Sequence, residues 1–235
     1  MFSIFNSVSN VRYGFSTRHD GNLRIPSSES DTEANRKRYI ESLGLDPMRF
    51  VAANLVHGTH VHIAREEEAG SIIPECDGLV TRVPNLILSV TGADCFPVYA
   101  IDPVERVIGM AHAGWRGITS GIIPELIVQM NGLGSEPADI LVGIGPGIRA
   151  CHFEIHEDIF SHFEGHGEAV IEREKGMFVD LPAIIKTQLK EGGITPEHIS
   201  DSEECTYHLE DKYFSRRRDQ AGPLQAMMAY ILLEK

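Results

Sequence analysis

The stretch TGADCFPVYAIDPVERVIGMAHAGWRGI, residues 91–118, decides the fold. Two apolar runs within it, FPVYAI and RVIGMAHA, have the length of buried strands, and the turn pair Asp102-Pro103 lies between them. Small residues surround Cys95, before the first run, and His112, within the second. Glycine lets a backbone or a ligand approach closely. The stretch therefore predicts two strands with reactive side chains at their ends.

Other short apolar runs are broken by turn residues in the same way. NLILSV, DILVGIGPGI and LQAMMAYILL are each predicted to contain a strand, and RFVAANLVHGTHVHIAR is predicted to form two strands that meet at Gly58. No strand-linked GxGxxG or GxxxxGK[ST] motif is present, which argues against nucleotide binding of the Rossmann or P-loop kind.

Three segments have helical spacing. SSESDTEANRKRYIESLG begins with capping-box spacing between Ser30 and Glu33. A second helix is predicted after residue 117, with Thr119 or Ser120 as its cap, and a third in DLPAIIKTQLKEGG, with Asp180 as its cap. Because strands outnumber helices and alternate with them irregularly, we expect an α+β fold. It would be a single domain over residues 1–235, with a mixed β-sheet core flanked by helices.

Charge and cysteine usage limit the class of protein. The 235 residues carry a formal net charge of −13, which argues against nucleic-acid and anionic-membrane surfaces. There is no basic leader, and no apolar run approaches the roughly 20 residues that span a bilayer. The four cysteines are scattered without paired spacing, as expected in a reducing compartment. We therefore expect a cytoplasmic protein.

His57, Cys95 and His112 each end an apolar run beside small residues, in LVHG, GADC and AHAG. One thiolate and two imidazoles would leave the fourth position of a tetrahedral zinc ion open, which is typical of a catalytic site. Taken singly, each side chain is more typical of an ordinary core or surface residue, and the spacing alone does not decide between these interpretations.

The motifs around these residues carry a resemblance. LVHG, DGLVT, GADCFPV, AHAGWRG, GIGPGIRACHFEI and CTY…YFSRRRD follow in this order from residue 55 to residue 219. Together they resemble the laccase-domain family, also called polyphenol oxidase or multicopper oxidase-like, whose members are zinc-dependent purine nucleoside phosphorylases with adenosine deaminase activity. The resemblance implies that His57, Cys95 and His112 bind the metal. It also implies that YGFSTRHDG brings Ser16 and Arg18 near the substrate.

This resemblance predicts the partners and further site residues. The substrates would be phosphate and purine nucleosides, with adenosine converted to adenine and ribose 1-phosphate or to inosine, and with inosine and methylthioadenosine also cleaved. Asp94, or else Asp77, would carry a proton, and Trp115 and Phe96 would supply apolar walls for the purine. Guanidinium groups bind phosphate well, and the candidates are Arg18, Arg116 and Arg217. Arg216 stands where the family commonly has tyrosine.

Other histidines and cysteines are predicted to be structural or solvated. They are His60, His62, His152, His156, His162, His166, Cys76, Cys151 and Cys205. Three alternatives stay open. The first is a copper-dependent polyphenol oxidase, since one cysteine with two histidines is also a copper set, although a trinuclear cluster needs more histidine pairs than HVH provides. The second is a metal-free hydrolase with Cys95 as nucleophile and His112 or His57 as base. The third is a partner-binding module.

Overall fold

The computed structural model describes residues 2–25 and 30–235. Within them the strands form a six-stranded sheet in the order β13-β9-β7-β8-β5-β3, a five-stranded sheet in the order β1-β14-β6-β2-β4, and a three-stranded sheet in the order β10-β12-β11. The strands are β1 (Val11–Phe15), β2 (Phe50–Ala53), β3 (Val61–Ile63), β4 (Ile72–Ile73), β5 (Gly78–Thr81), β6 (Ile87–Gly92), β7 (Phe96–Asp102), β8 (Val107–Ala113), β9 (Leu141–Ile144), β10 (Glu154–Ile155), β11 (Val170–Arg173), β12 (Gly176–Val179), β13 (Ile199–Asp201) and β14 (Met227–Leu233).

Five α-helices lie in the described part of the chain. They are α1 (Ser30–Ser42), α2 (Trp115–Ser120), α3 (Ile122–Gly132), α4 (Glu157–Phe160) and α5 (Leu181–Glu191). The large sheets contain both parallel and antiparallel pairs, for example β2 parallel to β6 and β7 antiparallel to β8. The prediction of an α+β fold with mixed sheets is therefore confirmed. None of the helices in this described part is long and apolar enough to cross a membrane.

Strand β7 explains how the layers stack. All seven of its residues are buried, so both faces of this strand are covered, as expected from a continuous apolar run. Tyr99 and Ile101 pack into a core shared with the five-stranded sheet, while Val98 and Ala100 pack on the opposite side, into the core that contains α3 and α5. This is the alternation of a strand with period two. Helix α1 covers the outer face of the five-stranded sheet.

The strands β7 and β8 are the antiparallel pair predicted on either side of the Asp102-Pro103 turn. The Asp102 carboxylate accepts hydrogen bonds from the backbone N–H groups of Val104 and Glu105, at 2.8 and 3.1 Å, and thereby fixes the turn. Since the turn closes one end of the hairpin, the residues at its other end must face each other. Those are the residues next to Cys95 and His112.

The prediction that two strands meet at Gly58 is wrong. Strand β2 ends at Ala53 in the five-stranded sheet, whereas β3 begins at Val61 in the six-stranded sheet. The seven residues between them form a loop instead of a turn. The physical reason is that the backbone amides of this loop bind the buried carboxylate of Asp77 instead of a neighbouring strand.

Of the two predicted N-caps that lie in the described residues, one is confirmed and one is wrong. Asp180 accepts a hydrogen bond from the backbone N–H of Ala183 at 3.2 Å and caps α5, as predicted. Capping of α3 by Thr119 or Ser120 is wrong, because the preceding residues form α2 and the chain restarts at Gly121. Gly121 has a φ of 101°, a left-handed conformation that glycine adopts readily. The predicted capping box depends on the side chain of Ser30, which lies outside the described residues.

Candidate metal centre and pocket

The open end of the β7–β8 hairpin positions two of the predicted ligands. Pro97 pairs with His112 and Phe96 with Ala113, so Cys95, one residue before β7, lies beside the end of β8. The side chain of His112 is buried, while that of Cys95 is partly exposed. This antiparallel register alone explains why GADC and AHAG, separated in sequence, lie together in the fold.

The third side chain, His57, is delivered by the loop that follows β2. Its backbone N–H donates to Oδ1 of Asp77 at 2.9 Å, and the N–H groups of Val56 and Gly58 donate to Oδ2 at 3.2 and 2.7 Å. His57 has a φ of 60°, which is uncommon for a residue other than glycine. These three hydrogen bonds from backbone N–H groups to one carboxylate hold the loop in this conformation and direct His57 towards His112.

Asp77 also orients the His112 ring. Nδ1 of His112 lies 3.0 Å from Oδ1 of Asp77, and the backbone N–H of His112 donates to the Asp77 carbonyl at 2.7 Å. Burial raises the pKa of Asp77, but hydrogen bonds from His112 and from the backbone of Gly58 lower it by a larger amount. The net shift of this pKa is therefore downward. An ionised carboxylate only accepts, so Nδ1 carries the proton and Nε2 is left to bind a metal.

The donor atoms of His57, Cys95 and His112 all lie within 4.8 Å of one another. The two imidazole rings are nearly perpendicular, with centroids 4.9 Å apart. In a tetrahedral zinc site the nitrogen and sulfur donors lie roughly 3.6 Å apart, so rotamer adjustments are enough to close the set on one ion. A thiolate and two imidazoles suit zinc and copper alike, and the set therefore fits a transition metal.

Charge around Cys95 is arranged for a thiolate. Burial raises the pKa of the Cys95 thiol, but the charge and hydrogen bond of His112, with a smaller effect of His57, outweigh it and lower the pKa to about 6. Burial lowers the pKa of His112, but Cys95 and Asp77 raise it to about 9. Without a metal the pair is thus a thiolate and an imidazolium at neutral pH, a state that also makes Cys95 a nucleophile.

Gly114 is required by the crowding at this centre. A Cβ at this position would lie 2.9 Å from Sγ of Cys95 and 3.3 Å from Cδ2 of His57. Real Cβ atoms do not approach other atoms so closely without displacement of a neighbour. The glycine of AHAG is therefore the residue that lets the thiol and the imidazoles converge.

The three side chains lie in a cavity of about 600 Å³, a size that suits a small organic ligand. Its walls are contributed by both large sheets and by the segments that follow β9 and precede β14. The lining residues are Arg24, Ile25, Leu55, His57, Thr91, Gly92, Ala93, Asp94, Cys95, His112, Trp115, Arg116, Ile148, Phe153, Leu181, Arg216, Arg217, Gln220, Leu224 and Ala226.

Arginines are concentrated at this cavity although the chain is acidic. Four arginines line it: Arg116 and Arg217, whose binding of substrate stays a prediction, together with Arg24 and Arg216. The Arg116 guanidinium lies 4.2 Å from the centroid of the Trp115 ring. Arg217 donates to the Glu154 carbonyl at 3.0 Å, which fixes its position. Arg24 is not predicted from the sequence, because the segment around it contains neither a predicted strand nor a recognisable motif.

Ser16 and Arg18 lie elsewhere in the described part of the chain, outside this lining. The buried Ser16 accepts a hydrogen bond from the backbone N–H of Met228 at 2.8 Å. Arg18 donates to the Glu210 carbonyl and lies over the Phe214 ring. Their predicted contact with substrate stays a prediction. In this structure Ser16 joins the N-terminal segment to β14, and Arg18 joins it to the segment before β14.

Asp94 lines the cavity beside Cys95 with its carboxylate already engaged. Its Oδ1 accepts from the Thr206 hydroxyl at 2.7 Å, and its Oδ2 accepts from the Ser215 hydroxyl at 3.1 Å and from the Arg217 backbone at 2.7 Å. Because each carboxylate oxygen has about two acceptor positions, Oδ1 keeps one for a ligand. Asp94 therefore ties the segment that contains Ser215 and Arg217 to the loop that carries Cys95.

Trp115 forms part of the cavity wall, as predicted, but Phe96 does not line it. The Phe96 ring is fully buried in the core on the helical side of the six-stranded sheet, against Gly147. Its place in the wall is taken by Phe153, which the sequence did not single out. Because successive side chains of a strand point to opposite faces of the sheet, Phe96 at the start of β7 points into the helical core and away from the cavity.

Known proteins resemble this chain over nearly its whole length. Residues 8–234 match the family described as multi-copper polyphenol oxidoreductase laccase. The chain belongs to this family. A protein of Deinococcus radiodurans named purine nucleoside phosphorylase is 36% identical, over 96% of this chain and 90% of its own length. Purine nucleoside phosphorylase YlmD of Geobacillus stearothermophilus is 30% identical, over 93% and 88% of the two chains. The crystal structure of the Bacillus licheniformis hypothetical protein YfiH shares 29% identity with a TM-score of 0.90, covering 98% of this chain and 94% of that one.

This laccase-family chain also contains a second cluster, of two thiols and one imidazole. Cys151 and Cys205 are predicted to be structural and His152 to be solvated, and those roles stay predictions. The donor atoms of the three side chains lie within 4.8 Å of one another. Residues 205 and 147 form an isolated parallel bridge, which brings Cys205 against the turn that carries His152. The contact joins residues more than fifty positions apart, so local spacing gives no sign of it.

Proposed function

We propose that the protein is a zinc-dependent purine nucleoside phosphorylase that also deaminates adenosine. Adenosine and phosphate would give adenine and ribose 1-phosphate, inosine and methylthioadenosine would be cleaved likewise, and adenosine and water would give inosine and ammonia. One observation carries the proposal: a set of three metal-binding side chains and four arginines face the same cavity. The names of the relatives from Deinococcus and Geobacillus support it.

The arginines account for the phosphate. Arg24, Arg116, Arg216 and Arg217 line the cavity of a chain whose net charge is −13, so this cavity attracts anions against the charge of the whole molecule. The guanidinium fork donates two parallel hydrogen bonds to phosphate oxygens, which fixes the orientation of the anion as well as its position. We infer that phosphate binds among these side chains.

Apolar walls account for the nucleoside. Trp115 and Phe153 present aromatic surface to the cavity, and Leu55, Ile148 and Leu181 add aliphatic surface. In phosphorolysis a phosphate oxygen forms a bond to C1′ of the ribose while the bond from C1′ to the purine nitrogen breaks. The electron pair of that bond leaves with the purine, which takes up a proton. A flat apolar slot holds the purine, and the arginines hold the phosphate in line with C1′.

His57, Cys95 and His112 would hold the zinc ion, with Asp77 fixing the tautomer of His112. When bound, zinc would act as a Lewis acid and would lower the pKa of a bound water molecule towards about 7. Deamination replaces the amino group at C6 of adenine by the oxygen of water, and a proton must pass from that water to the departing ammonia. Asp94, beside Cys95 with one acceptor position left on Oδ1, is our candidate for this transfer.

A metal-free hydrolase is the second candidate, and a specific observation favours it. The Cys95 thiol has a pKa of about 6 beside the His112 imidazole, as in enzymes that use a cysteine nucleophile. This alternative needs the same side chains, so metal content separates it from the proposal. A purified, tag-free protein that is fully active without metal would support the hydrolase and exclude the zinc enzyme.

A copper-dependent phenol oxidase is less well supported by the ligands. Reduction of oxygen to water by a multicopper oxidase uses a trinuclear cluster with many histidines. In the part of the chain that the structure describes, just two groups of three metal-binding side chains occur, and the second has one histidine. The HVH pair is engaged otherwise, since His62 pairs with Glu68 at 2.8 Å and His60 contacts the Glu75 carbonyl at 3.1 Å. Copper at the first centre would therefore be an adventitious or alternative metal.

The cellular setting follows from the thiol. All four cysteines are free, and Cys95 must stay reduced to bind a metal. We propose a cytoplasmic enzyme whose partners are purine nucleosides and phosphate, without nucleic acid or membrane.

One incubation tests the proposed function. Zinc-loaded protein is mixed with adenosine, with and without phosphate, and products are resolved by chromatography while dissolved oxygen is followed with an electrode. Adenine should form only with phosphate, inosine should form in both cases, and oxygen should stay constant. Rapid oxygen uptake with a phenol, together with unchanged adenosine, would establish the copper oxidase instead.

The arginines give a second test, with Arg18 as the matched comparison. Loss of one charged hydrogen bond weakens binding by roughly 1.5–3 kcal/mol, about ten- to a hundredfold. Arg116→Ala should raise the KM for phosphate by about this factor and affect deamination less. If Arg18→Ala instead has the larger effect on phosphorolysis, the phosphate site lies near YGFSTRHDG and the assignment to the cavity arginines is wrong.

A further inference from the structure

The second thiol and imidazole cluster lies behind the wall of the pocket. Cys151 is exposed, His152 is partly buried and Cys205 is buried, so the cluster is reachable from solvent. It is independent of the proposed reaction, because none of its three side chains lines the cavity within the described residues.

The spacing of the donor atoms is that of a metal site. Nδ1 of His152 lies 3.0 Å from Sγ of Cys151 and 3.7 Å from Sγ of Cys205. Zinc with nitrogen at about 2.0–2.1 Å and sulfur at about 2.3 Å separates such donors by roughly 3.6 Å in a tetrahedral site. The two observed distances bracket this value, so small side-chain rotations bring all three donors to one ion.

Two loops are held together to form this cluster. The backbone N–H of Gly147 donates to the Glu204 carbonyl at 3.3 Å, and that of Thr206 donates to the Gly147 carbonyl at 3.1 Å. These bonds fix Cys205 opposite the turn of residues 149–152. On the other side of the imidazole the Tyr207 ring stacks on His152 with centroids 4.2 Å apart. The ligands are therefore preorganised by backbone pairing and by stacking, as metal sites require.

We propose that Cys151, His152 and Cys205 form a second metal site, which binds Zn²⁺ with two thiolates and one imidazole and leaves the fourth position to water. Two thiolates balance the charge of the ion, so the site is neutral when occupied. Binding releases the protons of both thiols to solvent, because a thiol binds zinc as the thiolate.

The site would stiffen the arginine side of the pocket. The carbonyl of His152 accepts a hydrogen bond from Arg217 at 3.4 Å, and Thr206, next to Cys205, donates to Asp94 at 2.7 Å. A metal ion that links the two loops would limit the motion of both contacts. Its role is that of a structural cross-link, with an effect on stability larger than that on chemistry.

Metal stoichiometry tests the proposal. Tag-free protein is stripped with a chelator under reducing conditions, loaded with Zn²⁺ and desalted, and zinc is counted by elemental analysis. We expect about two ions per chain in the native protein, about one in Cys95→Ser, about one in Cys151→Ser and none in the double variant. Cys76→Ser, which removes a buried thiol outside both clusters, should keep two. One ion in the native protein that is lost in Cys95→Ser and kept in Cys151→Ser would overturn the second site.

A second measurement uses a variant that keeps all three side chains of the second cluster. In Cys95→Ser, Co²⁺ should still give the near-ultraviolet band of thiolate bound to cobalt, because two thiolates remain at the second site. Zinc at a hundredfold excess over its Kd should also raise the unfolding midpoint of this variant by roughly 5–10 °C. Absence of both effects, detection of a Cys151–Cys205 disulfide under reducing conditions, or binding of Cu⁺ without Zn²⁺ would each refute the zinc site.

Discussion

The two clusters of this protein contain the same kinds of donor in opposite settings. His57, Cys95 and His112 line a cavity, and Cys95 there has its pKa lowered to about 6 by two imidazoles that outweigh its burial. Cys151 lies at the surface, yet burial of the thiol group and the neighbouring Cys205 raise its pKa to about 11. Exposure is thus a poor guide to thiol reactivity, because the partners of the sulfur decide it.

The imidazoles differ in the same way. A buried carboxylate, Asp77, stands behind His112 and raises its affinity for protons and metals, whereas an aromatic ring, Tyr207, stacks on His152. The pKa of His152 is lowered by burial and by His208 and Arg173. The first cluster therefore contains a thiolate and an imidazolium without a metal, whereas Cys151 in the second stays a thiol and would ionise only on binding a metal.

Replacement of Cys95 should give the largest difference between the clusters. Cys95→Ser removes the thiolate from the cavity and should lower kcat/KM for adenosine phosphorolysis by more than about a hundredfold, since loss of supporting groups alone reaches that range. Cys151→Ser should change it by less than about fivefold, and Cys76→Ser serves as the control for loss of a thiol. Steady-state kinetics on the zinc-loaded variants measure both losses of kcat/KM. Equal losses in Cys95→Ser and Cys151→Ser would contradict the prediction that the two clusters differ in function.

Asp77→Asn should have the next largest effect. The amide keeps the shape but loses the charge that holds Nδ1 of His112 protonated, so zinc affinity at the first centre should fall about ten- to a hundredfold. Competition with a chelator measures it. Asp180→Asn is the matched control, because asparagine caps α5 as well as aspartate does, and it should leave the affinity unchanged. An unchanged affinity in Asp77→Asn would mean that the carboxylate serves only to hold the loop.

Gly114→Ala should lower zinc affinity by about tenfold, because its Cβ would lie 2.9 Å from the Cys95 sulfur and displace it. Gly132→Ala is the comparison, since nothing lies within 4 Å of a Cβ at that helical position. That control should match or exceed the native unfolding midpoint, as alanine favours helix by up to about 1 kcal/mol over glycine. Equal zinc affinity in both variants would show that the centre tolerates the methyl group.

The smallest effect concerns alkylation of the metal-free protein. At pH 7.5, above the pKa of about 6, Cys95 is mostly thiolate, whereas Cys151, with a pKa of about 11, is almost entirely thiol. Cys95 should therefore react with iodoacetamide several times faster, although its lower basicity reduces its intrinsic nucleophilicity. Below pH 6 the Cys95 rate should fall. Peptide mass spectrometry at several pH values measures both rates, and faster reaction of the exposed Cys151 at pH 7.5 contradicts the comparison.

The features that can be predicted from the sequence are those that depend on local sequence pattern. The apolar runs on either side of Asp102-Pro103 are buried on both faces and form β7 and β8 as expected, and Asp180 caps α5. The motifs GADC and AHAG identify Cys95 and His112, because small residues at strand ends occur where side chains must converge.

The rest depends on long-range contacts that spacing does not encode. The loop around Gly58 is fixed by a carboxylate nineteen positions later in the chain, which no local strand pattern reveals. Cys205 reaches Cys151 through its bridge to residue 147, and Arg24 reaches the cavity from a segment that lies far from His57, Cys95 and His112 in the sequence. These contacts arise only once both large sheets are assembled.

The sheet order has a consequence for the sequence of events during synthesis. His57, Asp77, Cys95, His112 and Gly114 all lie in the first half of the chain, whereas β14, which occupies the second position in the five-stranded sheet, ends at Leu233. At about 5–20 residues per second the ribosome needs roughly 6–24 s to make the intervening 119 residues. Throughout that interval the metal-binding side chains exist without the strand that joins β1 to β6. If these side chains bind the proposed zinc ion during synthesis, that binding would precede completion of the five-stranded sheet.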